Sequence, residues 1–180
     1  MARYLALLGS INVGGNRIKM EALRGVLDKA GFGPVETVAA SGNVIFSSSE
    51  SRELLADRIA EVIARNFQIA SVVTLRTLNE VRSAVRDNPF HGEGSDRMVH
   101  TIFLPRQPSQ ESFDTLLQEH RDRGAERLAL GNQVLYLDYV HGVGVSDLTG
   151  RFLEIRLGCR GTARNMTSLK RIIAKMEASE

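Results

Sequence analysis

Two strand-turn-strand signatures constrain this chain more than any other feature: VETVAASGNVIF at 35–46 and RLALGNQVLY at 127–136. Each joins β-rich runs through a pair of turn formers, Ser41-Gly42 in the first and Gly131-Asn132 in the second. Such pairs favour tight hairpins. Ahead of the first hairpin lies an apolar run at 3–9, then a segment where Met20, Leu23, Val26, Leu27 and Ala30 recur at helical spacing until Gly31 stops it. Behind it comes a helix with Leu55, Ile59, Val62 and Ile63 on one face, then the strand IASVVTL at 69–75. The order βαββαβ is the split-βαβ, ferredoxin-like arrangement. Thr77 and Glu80 then stand at capping-box spacing and open a short helix that ends near Asp87.

The order begins again after NPFHGEGSD, whose turn formers make 89–96 read as a linker. MVHTIFL is a strand, Ser109 to His120 a helix, the second hairpin follows, and Ser146 to Leu157 is a helix. The second unit shows no evident last strand and closes with a helix from Ser168 to Met176. The sequence thus predicts an α+β protein. It has two tandem ferredoxin-like (βαββα-type) units with antiparallel sheets, 1–88 and 97–180, and a C-terminal helix. In the first strand, Leu5 and Leu7 alternate with Tyr4, Ala6 and Leu8, so both faces are apolar. A lone unit has helices on one face only, so the other face is expected to be covered by the second unit or the C-terminal helix.

Charge and cysteine content narrow the partners. Twenty-three basic against 21 acidic residues give +2, too balanced to make nucleic acid the default, so any electropositive site is local. Cys159 stands alone, and histidines 91, 100, 120 and 141 lack paired metal-ligand spacing; no metal and no cofactor are expected. No apolar run approaches the roughly 20 residues of a membrane span. A cytoplasmic protein with no membrane association is the expectation.

LLGSINVGGN, at 7–16, ends a strand in a glycine loop ahead of a helix. Gly9 and Gly14 keep the Walker spacing, but Gly15 and Asn16 replace its lysine and hydroxyl residue, which excludes a nucleotide P-loop. Two readings stay open. Backbone donors with Asn12, Gly14, Gly15, Asn16 and Lys19 hold a small anion, or the glycines serve a turn that needs positive φ.

RLGCRGTARNMTSLKR carries Arg156, Arg160, Arg164, Lys170 and Arg171, with no acid between Glu154 and Glu177. Arg160 and Arg164 add charge to the positive end of the last helix, a repulsion an external anion relieves. The bland reading is a solvated basic face, or arginines paired with acids elsewhere such as Asp147. Cys159 beside Arg160 is either an activated thiol or a small buried residue, and the second is favoured. His91 and His141 have no nucleophile near them in sequence. The ferredoxin-like order is also that of the RNA-recognition motif, yet the first and third strands offer only Tyr4 and Phe46 for stacking bases.

Three motifs in order, LLGSINVGGN, ASGNVIF and GTARNMTSLK, resemble the bacterial domain-of-unknown-function family 1697 along nearly the whole chain. The resemblance implies a small cytosolic protein of two related α/β units and supplies no reaction. Its motif positions here are Asn12, Gly14, Gly15, Ser41, Gly42, Asn43, Thr162, Arg164 and Asn165. The chain departs from the family at Gly9-Ser10, where Arg-Gly is usual, at Ala40, where Gln is usual, and at Met166, where Trp is common.

The leading functional expectation is a polar cleft between the units. There a small anionic ligand is held by Asn12, Gly14, Gly15, Asn16, Lys19, Ser41, Asn43, Arg160, Thr162, Arg164 and Asn165. Against it, Asn12, Asn43 and Asn165 need only satisfy backbone groups of their own loops. The alternative function is a nucleic-acid or protein interaction module using the basic C-terminal segment, nucleic acid being the less favoured partner. A third is a scaffold that dimerises through a sheet edge.

Overall fold

Strand β1 (Ala2–Leu8) organises the first unit, pairing antiparallel with β3 (Asn43–Ser48) on one side and β4 (Val73–Arg76) on the other. β2 (Glu36–Val38) lies outside β3, giving the order β2-β3-β1-β4. Helices α1 (Met20–Leu27) and α2 (Arg52–Phe67) are the crossovers. Leu23, Leu27, Leu55, Ile59 and Ile63 bury their apolar stripes against Ala6, Leu8, Val44, Phe46 and Leu75. The opposite face carries Leu5, Leu7 and Ile45, all buried as the two-sided alternation requires. Gly31, at φ +88, lies in the wide turn that continues α1. α3 (Leu78–Arg86) follows β4 directly, and its capping box is formed: Glu80 N donates to Thr77 Oγ1 at 3.4 Å and Thr77 N to a Glu80 carboxylate oxygen at 2.7 Å.

The second unit repeats the plan. β5 (Val99–Phe103) is the central strand, α4 (Gln110–His120) the first crossover, β6 (Arg127–Gly131) and β7 (Val134–Asp138) the hairpin, α5 (Gly150–Leu157) the second crossover and β8 (Thr162–Asn165) the last strand. The sheet order is β6-β7-β5-β8, the same order as the first with every pair antiparallel. Ser109 and Thr149 cap α4 and α5, and Phe113, Leu116, Leu153 and Leu157 pack on Ile102, Leu135 and Leu137. α6 (Met166–Ala178) closes the chain, burying Leu169, Ile172 and Met176.

The structure, a computed structural model, describes residues 1–178, and the compact units are Met1–Val81 with the chain from Arg171 onward, and Arg82–Lys170. The turns at 88–98 thus lie inside the second unit. Five features differ from the sequence reading. The second unit does have a last strand: Thr162–Asn165 is strand because β5 supplies its hydrogen-bonding partner, which four small or polar residues do not reveal. α6 starts at Met166, two residues before the expected Ser168, and α5 at Gly150, after a short 3-10 turn at Val143–Val145. Only 73–76 of the run 69–75 enters the ladder as β4. The second hairpin turns at Asn132-Gln133, one residue later than expected, with Gly131 paired to Val134.

Candidate functional site

The opening loop is held by its own asparagines. Asn12 sits at φ +55, where Asn is among the few tolerated residues. Its Oδ1 accepts from Ile18 N at 2.8 Å, and its Nδ2 donates to the carbonyls of Ile18, at 3.2 Å, and of Ala40. Asn16 Nδ2 donates to Ser10 O at 2.9 Å. Gly14 and Gly15, at φ +56 and +93, form the exposed turn, and exposed Lys19 precedes α1. At the first hairpin, buried Asn43 donates from Nδ2 to Val38 O at 2.9 Å and to Ser41 Oγ at 3.0 Å. Gly42, at φ +75, is pressed so close that a Cβ there would stand 3.0 Å from the Cβ atoms of Ile11 and Leu8. The amide donors of these motifs therefore face backbone carbonyls and a neighbouring hydroxyl.

The third motif is different, because its polar groups lie on a sheet face. β8 runs antiparallel to β5 with Thr162 opposite Phe103 and Arg164 opposite Thr101. Period two turns Thr162 and Arg164 to the same side and leaves Ala163 exposed. Gly161 admits β8 to this position, since a Cβ there would meet Ile102 Cγ2 at 2.5 Å and Phe103 O at 2.9 Å. Arg164 is 7% exposed, donates from Nη1 to Ala163 O at 2.8 Å, and burial brings its guanidinium down to about 10. It remains a cation at neutral pH.

Thr162 is 2% exposed, and its hydroxyl has no hydrogen-bond partner among the described residues. Thr101, fully buried, lies 3.5 Å from Asn88 Nδ2, while Asn88 Oδ1 accepts from Phe90 N at 2.9 Å. Asn165 caps α6, its Oδ1 accepting from Ser168 N at 2.9 Å. A buried cation and an orphan hydroxyl thus lie two residues apart on one strand face.

Three cations of the basic C-terminal stretch have carboxylate partners far off in sequence: Arg156 with Glu119, Lys170 with Asp96 at 2.6 Å, Lys175 with Glu36 at 2.6 Å. Arg160 is exposed ahead of β8. Cys159 is half-buried with Sγ 3.9 Å from Arg106 O, and burial pushes its thiol up despite nearby Arg106. His91 and His141 are exposed. Phe46 is in the helix-facing core, its ring 6.1 Å from that of Tyr4, so neither strand presents a stacking platform.

Sequence reading missed one charged cluster in the second unit. Arg127 Nη2 contacts buried Asp138 at 2.8 Å and its Nη1 contacts Glu93 at 2.8 Å, with the guanidinium 4.7 Å from the Phe90 ring. Asp138 also accepts from Val140 N at 3.0 Å. These groups border a surface pocket of about 410 Å³. The signal was the hairpin register: Arg127 pairs with Asp138 only when the turn is Asn132-Gln133, and a turn one residue earlier hides the pair. Among the described residues no group of three or more His, Cys, Asp or Glu could hold a metal ion, and no helix is long and apolar enough to cross a membrane.

A family model described as "Protein of unknown function (DUF1697)" matches residues 1–136, which takes in the first six strands and stops at the third residue of β7. No curated protein matches the chain. Among solved structures, a conserved bacterial protein, SP0830 from Streptococcus pneumoniae, shares the fold with a TM-score of 0.73 at 21% identity, covering 98% of this chain and 99% of that one.

Proposed function

We propose that this chain, which belongs to the DUF1697 family of proteins of unknown function, binds a small anionic ligand in its second unit, at Arg164. The single observation that carries this is the buried Thr162–Arg164 couple on one face of β8. Asn165 holds the start of α6 beside it. Asn12, Asn16 and Asn43 have the role of fixing loop geometry, and Gly14, Gly15, Ser41 and Lys19 belong to those loops rather than to the ligand. A cytoplasmic setting goes with this function, supported by the single cysteine, which forms no internal disulfide.

The test is thermal unfolding of wild type and Thr162→Val against phosphate, organic acids, nucleotides and short oligonucleotides. Valine keeps the shape and removes the orphan hydroxyl, so the unliganded variant is expected to gain about 1 kcal/mol or more. A ligand at about 100 times its Kd stabilises wild type by roughly 2.7 kcal/mol. A small anion that shifts wild type and shifts the variant far less supports the site. A response confined to oligonucleotides at low salt assigns the function to the basic segment instead.

A further inference from the structure

Of the outer strands of the two sheets, β6 is the longest and the least protected. β4 is buried from Val73 to Arg76, and β2 spans three residues, with Glu36 tied to Arg3 at 2.9 Å and to Lys175 at 2.6 Å. In β8, Thr162 and Arg164 are buried. β6 has five residues and is only half-buried from Leu128 to Gly131. Edges are usually guarded by lysine, proline or a bulge. β6 reads RLALG and pairs with β7 in unbroken register, and its one charge, Arg127, is turned to Asp138 and Glu93.

The hairpin register fixes which backbone groups face outward. In an antiparallel ladder, pairs that exchange both hydrogen bonds alternate with pairs that exchange none. Gly131 and Val134, which close the turn, are of the bonded kind, so Ala129 with Tyr136 and Arg127 with Asp138 are too. The N–H and C=O groups of Leu128 and Leu130 therefore point away from β7, and among the described residues nothing hydrogen-bonds to them. Their side chains pack on the core beneath the helices, which leaves small Ala129 on the other face. The open stretch is delimited at both ends: Glu126 O lies 3.3 Å from His120 Nε2, and Gly131 O accepts from Gln107 Nε2 at 3.2 Å.

We infer that β6 is a self-association edge, at which a second copy of the chain joins its β6 antiparallel to this one about a two-fold axis at Ala129, making one sheet from two four-stranded ones. Leu128 then exchanges both bonds with the partner's Leu130, and Leu130 with the partner's Leu128, so every outward group of the strand is used. An axis one residue to either side brings in Glu126, whose carbonyl faces His120, or Asn132 in the turn. At the axis two alanines meet as a non-hydrogen-bonded pair, where strands approach most closely and small side chains fit. Arg127 falls opposite the partner's Gly131, so no like charges oppose each other. This two-fold fit favours a second copy over an unrelated extended peptide. β8 lies at the opposite edge of the same sheet, so association at β6 and anion binding at Arg164 can fail separately.

Sedimentation equilibrium of the full chain over a wide concentration range tests this with wild type, Ala129→Lys and Ala129→Glu. Wild type is expected to approach twice its monomer mass as concentration rises. Each variant alone sets like charges against each other at the axis and is expected to weaken association about threefold or more, whereas an equal mixture, which sets Lys against Glu, is expected to associate more tightly than either. A wild type that stays monomeric overturns the inference, as does a dimer that neither variant weakens or a mixture no tighter than its components. Amide hydrogen exchange puts the same question without a substitution. The Leu128 and Leu130 N–H groups should gain protection as wild type is concentrated, while that of Ala129, bonded to Tyr136, is protected throughout. Leu128 and Leu130 exchange that ignores concentration overturns the inference even where the variants fail to fold.

Discussion

Asn12→Asp separates a loop-holding asparagine from a ligand-holding one. The change is nearly isosteric, and Asp tolerates φ near +55 about as well as Asn, so the backbone contributes little to the difference. The acceptor bond from Ile18 N survives. The two donor bonds to the carbonyls of Ile18 and Ala40 are lost, at about 1 kcal/mol each. A carboxylate oxygen then faces those two carbonyl oxygens, and the half-exposed site screens part of the repulsion. The expected loss is about 2–3 kcal/mol at pH 7, read as a lowered midpoint at unchanged slope in urea unfolding.

The pH dependence has a definite sign. Facing carbonyls raise the introduced carboxyl above its unfolded value, so between those two values the folded state holds more protons than the unfolded one, and the variant weakens as pH rises. Its deficit should therefore narrow to about 1 kcal/mol near pH 4, where the acid's O–H can replace one donor. Equal midpoints at pH 7, or a deficit that does not change with pH, would refute the assigned role of the amide.

Gly42→Ala combines positive φ with contacts at 3.0 Å to Leu8 and Ile11, and should cost about 2–4 kcal/mol; Gly14→Ala, at positive φ in open space, should cost only about 1. Paired denaturation curves check this, and equal losses would contradict the packing described at the hairpin. Burial holds His100 below its ordinary value, its Nδ1–H bonded to Met98 O and its ring against Tyr139. The unfolded state takes up the proton first, so stability is full above about pH 6.5 and declines as pH falls below it; His100→Gln should flatten that slope in acid denaturation profiles. Arg127→Met leaves Asp138 buried without its cation and should cost about 1–3 kcal/mol, while Asp138→Asn, which keeps the bond from Val140 N, should cost less. Thermal melts of both variants settle the order. Cys159, held protonated by burial, should alkylate several-fold more slowly at pH 8 than free cysteine.

The repeated βαββα order was legible because hairpins and amphipathic helices write their period into local sequence: Leu55, Ile59 and Ile63 must recur at helical spacing to reach one core. β8 was not, because Thr162, Ala163, Arg164 and Asn165 have no strand signature and owe their state to pairing with β5. The charge pattern singled out Arg164 as a helix-end cation, whereas it is buried, since burial is decided by the strand it was not assigned to. The Arg127–Asp138 pair was lost to a single step of register. The glycine loop was legible in kind, and only the coordinates reveal that Asn12 and Asn16 bond back to their own chain.

One consequence of the unit boundaries concerns time rather than space. The unit built on β1 also includes the chain from Arg171, where Lys175 meets Glu36 and buried Met176 lines a pocket beside Ala2 and Arg3. Residues 82–170 are therefore, in topological terms, an insertion within the first unit. Domains on a ribosome usually fold in the order they emerge. Here the half that emerges first waits for residues 171–178, so synthesis of nearly the whole chain precedes completion of its opening fold, and the inserted unit has all its strands to hand beforehand.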